Sequence, residues 1–265
     1  MTIAKILQAR PLGLAFDIDG TLSPIVATPG EARLYPGIAT LLEEACAYAH
    51  VAIMTGRAIE NGAAMVNIEG ITYVGTHGVE WCDGLPSSHE IQINPLAQPY
   101  LADGAELLAL TEQKLAGQPG ILIEHKRLGG SVHYRLSPQP EQARKLILDT
   151  LRAPAEARHF HLSEGKRIVD IKPLLMLNKG TELRRFAQRK QLAGIIFAGD
   201  DRTDLDAALE IERQRQDGVQ AATIVVQAAD TLPALLEHAN VVVQGVEGMA
   251  QLLAEIVGQL RGQLL

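Results

Sequence analysis

Six short apolar runs recur along the chain, at Leu12–Phe16, His50–Met54, Ile71–Val74, Gly194–Ala198, Thr223–Val226 and Asn240–Val243. They are almost unbroken and rich in Val and Ile, the pattern of strands covered on both faces in a parallel sheet. Between them the period changes to that of a helix. Ile38, Leu41, Leu42 and Ala45 fall on one helical stripe after Pro36-Gly37, and Met249, Leu252, Leu253 and Ile256 repeat the spacing near the C-terminus. Strands alternating with helices predict an α/β fold, a Rossmann-like doubly wound parallel sheet.

The middle of the chain breaks this rhythm. Helical periodicity over Asp103–Ala116 is followed by strand patterns at Ile121–His125 and Val132–Leu136. A second helix over Gln139–Leu151 precedes strand patterns at His159–Leu162 and Arg167–Ile171. Each strand pair is joined by a glycine-bearing turn, "RLGG" and then "SEGK", which is hairpin chemistry. An α/β chain that pauses for an antiparallel segment and then resumes predicts a core of residues 1–97 and 173–265 carrying an inserted α+β cap over 98–172.

Composition narrows the function classes. Hydrophobic residues are 47% of 265, ample for a core, while aromatics are only 4%, which disfavours stacking on bases. The net charge of -7 leaves no overall basic footprint, so nucleic acid is not an expected partner and any anion must be met by local positive charge. Cys46 and Cys82 lack partners at metal-ligand spacing. The N-terminal stretch shows no signal-peptide pattern, and no run of about 18 apolar residues occurs. The expectation is a soluble, cytoplasmic monomer acting on a small molecule, with no membrane partner.

The chemistry collects where apolar runs end. Asp17 and Asp19 close the first run in "FDIDGTL". Alternate strand residues point the same way, so the two carboxylates project together beyond the carboxyl end of the sheet, where open α/β sheets place ligands. A shared divalent cation would offset their repulsion. "GDDRTDLD" closes another run with Asp200, Asp201, Asp204 and Asp206, and Asp200 or Asp201 could reach the same ion. All-oxygen donors suit Mg²⁺. Thr55, Gly56 and Arg57 end a third run, where a hydroxyl and helix-start N–H groups suit a phosphate, and Lys179 in "NKGTEL" opens a helix as a fixed positive charge.

"DIDGTL", "TGR", the lysine of "NKG" and "GDDRTD", in this order, resemble the four motifs of the haloacid dehalogenase superfamily of phosphatases. The resemblance implies that Asp17 is the nucleophile and Asp19 the general acid/base. It implies that Thr55 and Lys179 hold the phosphoryl group. Asp17, Asp200 and the backbone carbonyl of Asp19 would hold Mg²⁺, with Asp201 or Asp204 in support. Gly20, Thr21, Gly56, Arg57 and His77 are counted with the substrate-binding set.

The cap strands add a specificity signal. Glu124 and Lys126 read as i and i+2 on one strand, His133 and Arg135 as i and i+2 on the next, and Lys166 and Asp170 as one face around Ile168. Such a mixed-charge face can bind sugar hydroxyls. "EHK", "HYR", "GKRIVD" and "GTHGVE" resemble segments of the trehalose-6-phosphate phosphatases, which implies that Glu124, Lys126, Arg135, Lys166 and Asp170 contact the sugar, with His133 a further candidate. The family usually has Glu where this chain has Asp170, and often Arg where it has Lys172.

Each assignment has a plainer rival. Thr55 could cap the next helix, Lys179 could be a solvated lysine, His77 could satisfy a loop carbonyl, and the charged cap face could simply meet water. At the level of function, the rivals are a phosphatase for sucrose phosphate or mannosyl- or glucosyl-3-phosphoglycerate, a phosphosugar mutase, and a non-catalytic phosphosugar sensor. The paired Asp17 and Asp19 favour an enzyme.

Overall fold

The computed structural model describes residues 2–26 and 28–263. A short helix α1 (Ile3–Ile6) precedes β1 (Leu12–Phe16), every residue of which is buried. Helix α2 (Ile38–Ala45) buries Ile38, Leu42 and Ala45 of the predicted stripe and half-buries Leu41. Strand β2 (His50–Met54), α3 (Ile59–Val66) and β3 (Thr72–Gly75) follow, then two strands the hydrophobic pattern did not reveal, β4 (Glu80–Asp83) and β5 (Gln92–Ile93). Both are short, with Glu80 and Asp83 bounding β4 and Gln92 opening the two-residue β5, so they present no apolar run to read.

The inserted elements are α4 (Leu101–Leu115), β6 (Leu122–His125), β7 (Gly130–His133), α5 (Pro140–Glu156), β8 (Phe160–Gly165) and β9 (Ile168–Pro173). The alternation then resumes with α6 (Lys179–Arg189), β10 (Gly194–Gly199), α7 (Asp204–Gln216), β11 (Gln220–Gln227), α8 (Pro233–Glu237), β12 (Val241–Gln244) and α9 (Gly245–Gly262).

The chain divides into two compact units, one joining Met1–Gln92 to Leu177–Leu265, the other Ile93–Met176. The first is built on a sheet of order β12-β11-β10-β1-β2-β3-β4-β5, in which β12 through β3 run parallel and β4 returns antiparallel to β3. Because side chains alternate across a strand, Leu14 and Phe16 join one apolar layer with Ile53, Ile196 and Leu253 of α9. Ala15 joins the opposite layer with Met54, Phe197 and Phe186 of α6. A sheet buried on both faces is the doubly wound arrangement expected from the unbroken apolar runs. Its centre lies between β10, β1 and β2, where Phe16 is in register with Ala198 on one side and Ile53 on the other. The loops after these three strands therefore leave from one end of the sheet.

The second unit is an antiparallel sheet, order β6-β7-β9-β8, with α4 and α5. Val132, Val169, Ile171 and Phe160 are buried. The alternate positions carry Glu124, Ser131, His133, Asp170, Lys172 and His161. Three residues expected on strands lie beyond them. Lys126 is in the β6–β7 turn, where its N–H donates to the Gly129 carbonyl at 3.3 Å. Arg135 falls outside β7 and its Nη2 donates to the Lys166 carbonyl at 3.3 Å. Lys166 sits in the β8–β9 turn with Arg167, whose φ of 62° makes the left-handed bend that the sequence pattern had given to glycine. Gly165 instead ends β8, where a Cβ would meet Ile168 Cγ2 at 2.8 Å.

One buried carboxylate ties the first unit's loops. Glu80 is fully buried, and its Oε1 accepts the Ile59 N–H at 2.9 Å and the Thr76 hydroxyl at 3.0 Å. It satisfies an orphan donor at the start of α3, the task the sequence left open to Thr55. Replacing Glu80 with Ala is expected to lower stability by about 1–3 kcal/mol, read from the urea midpoint. Glu80→Gln, which keeps an acceptor oxygen, should lose less.

Candidate active site

Asp17 extends β1 by one further ladder bond, its N–H donating to Ala198 at 2.9 Å. Asp200 follows β10, the adjacent strand, and Asp204 is the first residue of α7. All three side chains are buried, and oxygens from Asp17, Asp200 and Asp204 lie within 4.8 Å of one another. This is the three-carboxylate group among the described residues that could hold a metal ion. Of the two supports left open by the sequence, Asp204 stands in the cluster. The Asp201 carboxylate instead accepts the Thr203 N–H at 2.7 Å and its hydroxyl at 2.8 Å.

Lys179 enters this cluster as the first residue of α6. Asn178 caps the helix, accepting the Thr181 N–H at 2.9 Å, while the Thr181 hydroxyl oxygen accepts the Asn178 N–H at 3.1 Å, so the lysine's position is fixed by a reciprocal cap. Its Nζ lies 2.7 Å from Asp17 Oδ1 and 2.6 Å from Asp204 Oδ1. The other oxygen of Asp204 accepts the backbone N–H groups of Asp200 at 2.9 Å and Asp201 at 3.0 Å. Asp204 thus closes the turn that aims Asp200. The turn also needs Gly199, because a Cβ there would stand 2.4 Å from Asp204 Cγ.

The Asp200 carboxylate is held from the other side. Thr21, fully buried, donates its hydroxyl to Asp200 Oδ1 at 3.0 Å. Its side chain is therefore engaged with Asp200. Gly20 has φ 93°, and a Cβ on it would fall 2.1 Å from Asp200 Oδ2, so the "DGT" turn tolerates only glycine beside this carboxylate.

The electrostatics follow from burial. Desolvation, outweighing the attraction of Lys179, raises Asp17 well above the usual carboxylate range, with Asp204 and Asp200 adding repulsion. Burial and the neighbouring Asp204 and Asp201 push Asp200 up to about 8, against the Thr21 hydrogen bond. Burial also raises Asp204 despite Lys179. Burial alone would lower Lys179, but the charges of Asp17 and Asp204 hold it well above its ordinary value. One ammonium answers three carboxylates, so the donor set is charge-deficient in a way a divalent cation would correct, and its all-oxygen chemistry fits a hard ion. Asp17, Asp200 and Asp204 are the side chains that would hold or flank it.

Asp19 points elsewhere. Its two oxygens accept from Arg57 in a fork, Nε at 2.7 Å and Nη2 at 2.6 Å. The Asp19 carboxylate is therefore outside the metal-capable group, and Arg57 faces a carboxylate instead of open space. Thr55, buried, accepts the Arg57 N–H at 3.1 Å through its hydroxyl oxygen, a turn within the loop rather than a cap on α3. The His77 ring lies over Gly56, where a Cβ would come within 2.5 Å of it. His77 itself has φ 54°, and its N–H donates to the Thr55 carbonyl at 3.1 Å, which ties the "TGR" and "GTHGVE" loops together.

In the cap sheet, His133 Nε2 meets Glu124 Oε2 at 2.9 Å. Asp170 takes Lys126 on Oδ1 and Lys172 on Oδ2, each at 3.3 Å. The sequence missed Ser131, whose hydroxyl donates to Asp170 Oδ1. The signal was present: Ser131 stands two residues before His133 and so shares its face.

The trehalose-phosphatase family model matches residues 15–233. A curated relative described as a trehalose-phosphate phosphatase, from Mycobacterium avium (strain 104), is 31% identical over 229 residues, covering 84% of this chain and 56% of the relative. The chain spans about half the length of the curated relatives it matches. Among solved structures, one described as a trehalose-6-phosphate phosphatase related protein superposes with a TM-score of 0.75 at 24% identity, covering 96% of this chain and 100% of its own. The C-terminal domain of the C. albicans trehalose-6-phosphate phosphatase gives 0.76 at 18% identity, covering 97% of each chain. At these identities the two structures establish the fold.

Removing the lysine would strand the buried carboxylates. Lys179→Met is expected to cost roughly 3–5 kcal/mol of stability, measured by chemical denaturation in metal-free buffer. A loss no larger than that of an exposed lysine would show that Lys179 does not hold the cluster.

Proposed function

Because the chain belongs to the trehalose-phosphatase family, we propose that it hydrolyses trehalose 6-phosphate to trehalose and phosphate, with Mg²⁺ as cofactor. The observation that carries this reading is the buried Asp17, bridged by Lys179 to Asp204 and set beside Asp200. In this reading residues 1–97 and 173–265 are the catalytic core, and residues 98–172 select the sugar. The enzyme is a cytoplasmic monomer that needs neither nucleic acid nor membrane; none of its described helices is long and apolar enough to cross one.

Asp17 attacks phosphorus, the bond to the sugar oxygen breaks, and an aspartyl-phosphate forms on Asp17. Lys179 neutralises charge on the equatorial oxygens. The Thr55 hydroxyl and the amides of the loop through Gly56 offer further donors. Asp17, Asp200 and Asp204 would hold Mg²⁺, whose positive charge would keep Asp17 ionised and offset charge on the phosphoryl oxygens. Asp19 gives a proton to the departing sugar oxygen and then takes one from the water that attacks the aspartyl-phosphate. Arg57, gripping both oxygens of Asp19, holds that carboxylate in place between the two steps and must yield enough for the proton to move. Glu124, Lys126, His133, Arg135, Lys166 and Asp170 form the surface that recognises the sugar.

Phosphate release from a panel of phosphosugars with Mg²⁺ tests the substrate: trehalose 6-phosphate should be turned over fastest, and faster turnover of sucrose phosphate or glucosyl-3-phosphoglycerate would replace it. Asp17→Asn is expected to reduce release to background while the far-UV circular dichroism stays that of the wild type. In thermal melts, Mg²⁺ should raise the midpoint of the wild type by linkage and leave Asp200→Asn unmoved.

A further inference from the structure

On the phosphatase reading above, which this assignment rests on and deepens, we propose that His77 is a positioning residue for phosphoryl transfer. A strained left-handed turn lays its imidazole on Gly56 and so fixes the Gly56 amide as a donor to the phosphoryl group.

In "GTHGVE", Thr76 and His77 have φ of 48° and 54°, and Gly78 follows at 106°. Left-handed backbone is uncommon outside glycine, and for the β-branched Thr76 it is strained. Glycine would take both positions without strain, so the fold keeps these two side chains against a local penalty. The turn is tied down at several points. The Thr76 N–H donates to the Arg57 carbonyl at 2.8 Å, and the His77 N–H to the Thr55 carbonyl at 3.1 Å. The fully buried Glu80 accepts the Thr76 hydroxyl at 3.0 Å and, through the same oxygen, the Ile59 N–H at 2.9 Å. Gly75 lies against the start of α3, where a Cβ would stand 2.6 Å from the Ile59 nitrogen, and Gly78 lies against α6, where a Cβ would stand 2.4 Å from Glu182 Cγ.

These contacts bracket Gly56. The carbonyls on either side of it, those of Thr55 and Arg57, are both taken by the turn, and the imidazole covers the glycine itself. A Cβ on Gly56 would fall 2.5 Å from His77 Cε1 and 2.6 Å from Nε2. The Arg57 N–H is engaged by the Thr55 hydroxyl oxygen at 3.1 Å, whereas among the described residues no hydrogen bond takes the Gly56 N–H. That amide is the donor the loop leaves for a ligand. A glycine peptide turns easily, and a flat ring packed on it removes the other orientations. Against burial, Lys179, the Thr203 hydrogen bonds and the His77 imidazole together hold the Asp201 carboxylate below its ordinary range, so the ring lies beside the loop after β10 as well. His77 thus stands between the loops after β2 and β10, the two strands that flank β1 and its Asp17. A donor held in place before the reaction is worth far more than one that must be oriented during it.

The test measures kcat and KM per folded enzyme, with Mg²⁺, for trehalose 6-phosphate and for p-nitrophenyl phosphate, which carries no sugar, together with the urea midpoint. His77→Gly relieves the strain and removes the ring. Its kcat is expected to fall about ten- to hundred-fold on both substrates, while its midpoint stays at or above that of the wild type. His77→Asn, which accepts the left-handed backbone, should lose as much activity. His77→Phe, which restores a flat ring without a nitrogen, should bring kcat back to within about three-fold of the wild type. A kcat within about two-fold of the wild type in His77→Gly would make the residue purely structural and overturn the proposal. A loss confined to KM for the phosphosugar, the mark of a sugar contact, would overturn it too. So would a folded His77→Phe no better than His77→Asn, the mark of a nitrogen acting on the substrate itself. If His77→Phe does not fold, His77→Gly and His77→Asn decide. The phosphatase reading fails separately, in the wild type: if another phosphosugar is preferred, the same criteria apply to that sugar and to the aryl phosphate, and if phosphate is released from neither class, that reading and the role of His77 fall together.

Discussion

The double ion pair of Lys179 with Asp17 and Asp204 is the constraint on which the site depends. Three carboxylates are gathered where water is largely excluded, and burying charge without partners is among the most costly things a fold can do. A single ammonium at the start of α6 links the end of β1 to the start of α7. That position is not free to drift, because the reciprocal cap between Asn178 and Thr181 fixes where the helix begins. The charge that remains uncompensated raises the pKa values of Asp17 and Asp200 and marks the place where a cation is wanted.

Close approach of backbone to carboxylate does the rest. Gly20 and Gly199 let Asp200 and Asp204 come within distances that any Cβ would forbid, and Gly56 does the same for His77. Gly20 and Gly56 lie in the loops after β1 and β2, and Gly199 is the last residue of β10, so the central strands deliver all three to one end of the sheet. The loops are then stitched by polar contacts: Thr21 to Asp200, Arg57 to Asp19, and Glu80 to Ile59 and Thr76. A preorganised arrangement of this kind suits phosphoryl transfer, where positioning and charge stabilisation supply most of the rate.

The cap unit obeys a different rule. Its sheet buries one face on helices and leaves the other polar, as antiparallel sheets can. The polar face is not a set of independent charges. Glu124 is taken by His133, and Asp170 by Ser131, Lys126 and Lys172. Opposite charges on a half-buried face pair with each other.

The sequence alone determined the doubly wound core, because an unbroken apolar run can be buried only between two layers, and it determined the acidic strand ends, because adjacent carboxylates at a turn have few other uses. It also located the inserted α+β segment, through the change from unbroken runs to glycine-joined pairs. The tertiary structure decided which carboxylates meet. Asp204, not Asp201, turns into the cluster, since α7 starts there and its side chain accepts the two preceding amides. Asp19 pairs instead with Arg57, 38 residues further along the chain. The i, i+2 rule placed Glu124 and Asp170 on one face of the cap sheet; Lys126, Arg135 and Lys166 lie past the strand ends, and of these Lys126 still reaches Asp170. Periodicity is a local property and reads burial well. Partner choice among several equal charges is set by distances between remote segments, and only the folded chain supplies them.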